Sequence, residues 1–257
     1  MKMPVLFLGH GSPMIAIEKN SWTENFQDIG KKIIEKHGQP KGILMVSAHW
    51  FTKGFYIQDQ ENPKQIYDMY GFPAALYEVK YPVKGSRQLS QRVQDILGQE
   101  VEINNEWGID HGAWSVLVHV FPKAGIPVVQ LSVDARKSPE EVYEIGVKLS
   151  ILREEGYLLM ASGNIVHNLY DVKLNQESGN EDTLSFDKDF TDWVVTKEKK
   201  KYFSYEKHPS ASYAVPTVDH LYPVFYALGA SLGQELLVMN QDATLNSISM
   251  TSYIFSL

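Results

Sequence analysis

Eight histidines carry most of the chemical potential of this 257-residue sequence, and no cysteine competes with them. Five stand in distinctive surroundings. His10 lies in Gly9-His10-Gly11-Ser12-Pro13, directly after the apolar run Val5-Leu6-Phe7-Leu8. His49 lies in Ser47-Ala48-His49-Trp50, after Ile43-Leu44-Met45-Val46. His167 follows Tyr157-Leu158-Leu159-Met160-Ala161-Ser162-Gly163 within a few residues. His111 sits in a turn bounded by Asp110 and Gly112, and His220 follows Asp219 ahead of Pro223. Neutral imidazole is a ligand for zinc, iron, copper or nickel, and it moves protons near neutral pH. With no thiolate present, three or four such ligands fit both zinc hydrolysis and iron oxygen chemistry. Asp110 and Asp219 could orient the imidazoles that follow them, or could cap turns.

The other three histidines read as structural. His37 precedes Gly38 at an expected helix end and reads as a C-terminal cap. His119 lies in an apolar segment and reads as a core residue. His208, in Lys207-His208-Pro209, reads as a loop residue. Gly9-His10-Gly11-Ser12 is neither a dinucleotide nor a phosphate-loop fingerprint.

The elements that must position the five are short, continuous apolar runs, the pattern of strands buried on both faces. Runs 5–8, 43–46 and 157–163 qualify; 126–133 reads as another strand, with shorter strands at 55–57 and 101–103. Helices are expected from the capping pattern Ser21-Trp22-Thr23-Glu24 to about Lys36, and over 86–97. Others are expected over 115–121, from Ser138-Pro139-Glu140-Glu141 to before Gly156, over 183–207, and up to about Ala230. Segments 235–239 and 247–255 read as closing strands, and the polar stretch 171–182 as a surface loop. Residues 61–83 carry three prolines and five aromatics without periodicity. They read as a long ordered loop, either packed on the body or walling a flat ligand. Strands alternating with helices predict one α/β domain, 1–257, with a mostly parallel central sheet covered on both faces. Parallel strands deliver their C-terminal ends to one sheet edge, where ligands bind. That places His10, His49 and His167 together.

Composition narrows the alternatives. The chain is 44% hydrophobic and 21% charged, ordinary for a globular domain. Its net charge of −7 argues against a nucleic-acid partner. No apolar run approaches the ~20 residues that cross a bilayer. The first apolar run ends at Gly9-His10 without a signal-peptide pattern, so the cytoplasm is the expected location.

These motifs, in this order, resemble the extradiol DOPA dioxygenase family. Its carriers are Gly9-His10-Gly11-Ser12-Pro13, Ser47-Ala48-His49-Trp50, Asp110-His111-Gly112-Ala113-Trp114, Ser162-Gly163-Asn164 with His167-Asn168-Leu169, and Asp219-His220 before Pro223. The family belongs to the class III extradiol ring-cleaving dioxygenases, related to the β subunit of protocatechuate 4,5-dioxygenase. The resemblance runs from residue 5 to about 230. It implies one divalent metal, Fe(II) for dioxygenase activity, with Zn(II) able to occupy the same site. The implied ligands are His10, His49 and His220, where the wider class usually has a glutamate as the third. His167 matches the acid/base histidine and stands as a possible fourth ligand; His111 matches a second histidine of the substrate pocket. The implied reaction adds O2 to a catechol such as DOPA and yields a ring-opened semialdehyde. Tyr77 or Tyr81 of the aromatic loop could hydrogen-bond the ring oxygens. A zinc-dependent hydrolase or a non-enzymatic metal-binding protein are the alternatives, as a monomer or a homodimer.

Overall fold

Ten strands and nine helices appear in the computed structural model, which describes residues 2–257. The strands are β1 (Val5–Gly9), β2 (Gly42–Thr52), β3 (Tyr56–Ile57), β4 (Glu102–Ile103), β5 (Val128–Asp134), β6 (Tyr157–Gly163), β7 (Leu236–Met239), β8 (Ala243–Thr244), β9 (Ile248–Ser249) and β10 (Ser252–Phe255). The helices are α1 (Ser21–His37), α2 (Ala74–Tyr77), α3 (Arg87–Leu97), α4 (His111–Val120), α5 (Pro139–Leu149), α6 (Glu181–Val195), α7 (Lys199–Phe203), α8 (Ala211–Ala214) and α9 (Tyr222–Ser231). Eight strands make one sheet in the order β4-β3-β5-β2-β6-β1-β10-β7, and β8 and β9 pair separately. The central four, β5, β2, β6 and β1, run parallel. Antiparallel pairing enters only towards the edges, through β10, β7 and β3. This is the mostly parallel α/β domain expected.

Side-chain alternation divides each central strand between two cores. Phe7, Leu44, Val46, Leu131 and Leu159 face a core completed by α3, α5, α6 and α9. Leu6, Leu8, Ile43, Met45 and Met160 face a second core completed by α1 and α4. Every residue of β1, β5 and β6 is buried, which explains the continuous apolar runs that open β1 and β6, while β5 buries Gln130, Ser132 and Asp134 among its apolar residues. Each such Leu or Phe contributes roughly 1.5–3 kcal/mol of burial free energy.

Several boundaries differ from expectation, each for a local reason. The cap of α1 is Asn20: its Oδ1 accepts from the Thr23 N–H at 3.0 Å, and Thr23 Oγ1 accepts from the Asn20 N–H at 3.1 Å. That reciprocal pair replaces the Ser21/Glu24 box. The α4 helix starts at His111 because Asp110 caps it through the Ala113 N–H at 3.1 Å. Segment 183–207 breaks into α6 and α7 at Lys197, whose φ is +60°. The expected strand 247–255 divides into β9 and β10. Strand β2 extends past Val46 to Thr52, with its register against β5 shifting between Val46 and Phe51. No helix among the described residues is long and apolar enough to cross a membrane.

The C-terminal end of β6 organises one edge of the sheet. Ser162 pairs with Leu8 of β1 and with Ser47 of β2. The Gly163 carbonyl accepts from the His10 N–H at 3.2 Å, and the Asn164 N–H donates to the His220 carbonyl at 2.9 Å. A Cβ on Gly163 would stand 2.2 Å from that His220 oxygen. Gly163→Ala is therefore expected to cost about 1–3 kcal/mol, as overpacking against backbone does. Urea denaturation measures this, and an unchanged midpoint would contradict the close approach.

Candidate metal and active site

The five histidines singled out by sequence meet at this edge. His10 stands immediately after β1, in a turn where Gly11 takes φ +60°. The left-handed backbone at Gly11 favours glycine, and a Cβ there would also press on the end of the Met250 side chain. His49 lies inside β2, in the stretch where its register shifts, rather than after the strand's end. His111 is the first residue of α4, and His220 lies just before α9. His167 is held by a bridge to Ile248 and by its N–H donating to the Ala214 carbonyl at 3.0 Å. Ring centroids of His10 lie 5.1 Å from His49 and 5.3 Å from His220. His49 lies 3.8 Å from His111, and His167 stacks on His220 at 3.4 Å and 6°.

Hydrogen bonds determine where the protons sit. Ser162 Oγ donates to the Gly112 carbonyl at 2.6 Å, so towards His10 Nδ1, 2.9 Å away, it can only accept. His10 therefore carries its proton on Nδ1 and presents a bare Nε2. His220 Nδ1 donates to the Asp219 carboxylate, leaving its buried Nε2 without a partner. His49 Nδ1 lies 3.4 Å from Asp68 Oδ2, while its Nε2 faces His10 Nε2 at 3.2 Å. One donor atom from each of His10, His49 and His220 lies within 4.8 Å of the others. Two imidazole nitrogens on one tetrahedral ion, each ~2.0–2.1 Å from it, stand about 3.3 Å apart. The three residues thus fit a single divalent cation. Without one, His49 would have to turn a proton towards His10 and leave Asp68 unmatched. His167 lies face to face with His220, beside the three converging rings rather than among them.

Burial reinforces the neutral, ligand form of these rings. It holds His10 well below the usual histidine range, with His49 and His220 adding to the effect. His220 is lowered likewise by burial and then by His167. Burial and His111 bring His49 down to about 3 against the opposing Asp68. Burial brings His167 to about 4, against the opposing Asp219.

The two Asp-His pairs diverge. Asp219 orients His220. Asp110 touches no imidazole; it accepts from Ser47 Oγ at 2.7 Å, Trp107 Nε1 at 3.0 Å and Gln130 Nε2 while capping α4. His119 is a core residue bonded to the Ile15 carbonyl at 2.7 Å, as expected. His208 is bonded to Asp189 at 3.2 Å and packed on Phe186, away from the cluster. His37 closes α1.

Asp68 escaped the sequence reading. It lies in the aromatic loop and reaches both His49 and His111. The only available hint was an acid inside an apolar, aromatic segment. The loop is pinned to the body where the Trp114 indole donates to the Ile66 carbonyl at 2.9 Å, and is tied to itself where Tyr67 OH donates to the Val79 carbonyl at 2.7 Å. Tyr81 is buried, with its hydroxyl donating to the Phe121 carbonyl at 2.9 Å. It is a structural residue rather than a substrate contact. Tyr77 packs on Tyr67 within the loop.

A parallel α/β sheet that converges bare imidazole nitrogens at its strand ends defines a metal-site enzyme scaffold. The comparisons make the class specific. Residues 4–256 match the family described as the catalytic LigB subunit of aromatic ring-opening dioxygenase. A protein of Escherichia coli K12 named 4,5-DOPA dioxygenase extradiol is 40% identical over 98% of this chain and 94% of its own. A Beta vulgaris protein of the same name is 35% identical over 88% and 85%. The crystal structure of an uncharacterized Escherichia coli K12 protein superposes with a TM-score of 0.85 at 35% identity, covering 99% of this chain and 100% of that one. The chain belongs to the LigB family of extradiol ring-opening dioxygenases.

Tyr81→Phe is expected to cost roughly 0.5–1.5 kcal/mol of stability through its lost hydrogen bond. Turnover should stay at the wild-type rate. A fall in kcat at unchanged fold would restore Tyr81 to the reaction.

Proposed function

We propose that residues 1–257 form one catalytic domain that opens a catechol ring next to its two hydroxyls, using a divalent metal and O2. The supporting observation is the convergence of the His10, His49 and His220 ring nitrogens, with His167 stacked beside them. His10, His49 and His220 would hold the metal. Bound Fe(II) supplies the one-electron chemistry that lets O2 react with a closed-shell ring; Zn(II) would fit the same donors without it. Both oxygen atoms enter the product, a ring-opened semialdehyde, so no further reductant is required. A catechol such as DOPA is the proposed substrate, in keeping with the names of the relatives. Cytoplasmic operation fits the chain's lack of cysteine.

The protein's own part is proton handling and orientation. His167, neutral at pH 7, is placed to take a proton from a catechol hydroxyl and later to return it. His111, buried at the N-terminus of α4 and 3.8 Å from the His49 ring, lines the same space and assists. Ser162 and Asp219 keep the Nδ1 protons of His10 and His220 turned away from the metal. The partly exposed His49 side leaves an approach for substrate.

The direct test loads metal-free protein anaerobically with Fe(II), then adds O2 with DOPA or simple catechols. A yellow ring-opened product and one O2 consumed per product are expected. No product from any catechol, or hydrolysis that persists with zinc and without oxygen, would overturn the proposal. His167→Ala should retain the metal and lose about 10²–10⁴-fold in kcat, the usual worth of a positioned acid/base. Asp219→Ala should instead weaken metal binding about 10–100-fold, read by competition with a chelator. Equal metal affinity in the two variants would remove Asp219 from its orienting role.

A further inference from the structure

We infer that Asp68 is a positioning residue for the ring-opening reaction, a single carboxylate clamping His49 and His111 in one tautomer. This rests on the proposed site assignment and extends it to a residue outside the histidine set. Asp68 Oδ1 accepts the His111 backbone N–H at 2.8 Å and lies 3.0 Å from His111 Nδ1. That ring contact is close but off the ideal hydrogen-bond direction, since His111 Nδ1 finds no well-aligned partner. Oδ2 lies 3.4 Å from His49 Nδ1. A carboxylate only accepts hydrogen bonds. Both rings therefore lower their energy by carrying the proton on Nδ1 and presenting a bare Nε2.

Three segments meet at this carboxylate: the aromatic loop, the irregular part of β2, and the first turn of α4. The Asp68 side chain is only 12% exposed, so bulk water does not compete freely for either imidazole. The negative charge also suits the α4 N-terminus, where it complements the free N–H of His111. Asp110, the cap of that helix, contacts neither ring and cannot substitute. Loop seating and histidine geometry thus depend on the same two oxygens.

Donor atoms of His49, Asp68 and His111 also lie within 4.8 Å of one another, which a second cation could exploit. The clamp is favoured because Oδ1 is already engaged by a backbone N–H, and because His49 would otherwise serve two ions through both nitrogens.

The test is the histidine side-chain 1H–15N correlation spectrum of zinc-loaded protein. Wild type should show His111 protonated on Nδ1. Asp68→Asn places an NH2 group against the His111 ring and should move His111 towards the Nε2–H tautomer, while His49, holding zinc through Nε2, keeps its Nδ1 proton. Metal affinity or kcat should fall about 10–100-fold, as for other groups that orient ligands. Asp68→Glu should partly restore both readouts. A wild-type His111 proton on Nε2, an unchanged spectrum in Asp68→Asn, or two metal ions per chain by elemental analysis would each overturn the clamp. If Asp68→Asn does not fold, the wild-type tautomer and the Asp68→Glu variant still decide. Absence of ring opening in wild-type enzyme would defeat the proposed activity while leaving the tautomer result standing.

Discussion

The proton of the Ser162 hydroxyl determines more of this site than any other single group. It is committed to the Gly112 carbonyl at 2.6 Å, which makes the hydroxyl an acceptor for His10. The same residue stands where β1, β6 and β2 are in register, opposite Leu8 and Ser47. One short side chain therefore links sheet register to the tautomer of a buried imidazole, and through Gly112 to the first turn of α4. Serine suits this position because its small size fits between parallel strands and its single donor leaves no ambiguity about direction. A longer polar side chain at this level would push the strand ends apart.

His10 and His220 each have their own acceptor, Ser162 and Asp219, and Asp68 lies 3.4 Å from His49 Nδ1. This division explains why the triad tolerates an all-histidine set. Three neutral rings with bare nitrogens facing one another repel unless something positive lies between them. With the Nδ1 protons of His10 and His220 held outward, those two rings have no proton to offer each other. The arrangement suits a cation better than a hydrogen-bonded cluster.

Much of this was legible in the sequence. The buried runs before His10 and His167 marked strands whose ends share an edge, because parallel strands leave no other option. His49 was identified for a partly mistaken reason, since β2 continues past it; what ends near Ser47 is the pairing with β6. The identical Asp-His dipeptides at 110 and 219 could not be separated by sequence. Their roles depend on backbone direction: Asp110 faces the helix it caps, while Asp219 faces its neighbour's ring. Asp68 was invisible for a different reason. It lies in a loop with no period, so nothing in the pattern fixes which way its side chain points or which histidine it meets.

That contrast has an energetic side. A buried polar atom without a partner costs roughly 1–3 kcal/mol, and His220 Nε2 is one such atom at the meeting point of the triad. The surrounding cores of β1, β5 and β6 supply the stability that offsets such a cost. Asp68 has no such support from the sheet; it is placed by loop contacts such as the Trp114 indole on the Ile66 carbonyl. The place of His10 follows from strand register, whereas the alignment of His49 and His111 also depends on how residues 61–83 pack. Changes in that loop can therefore alter the chemistry without touching a histidine.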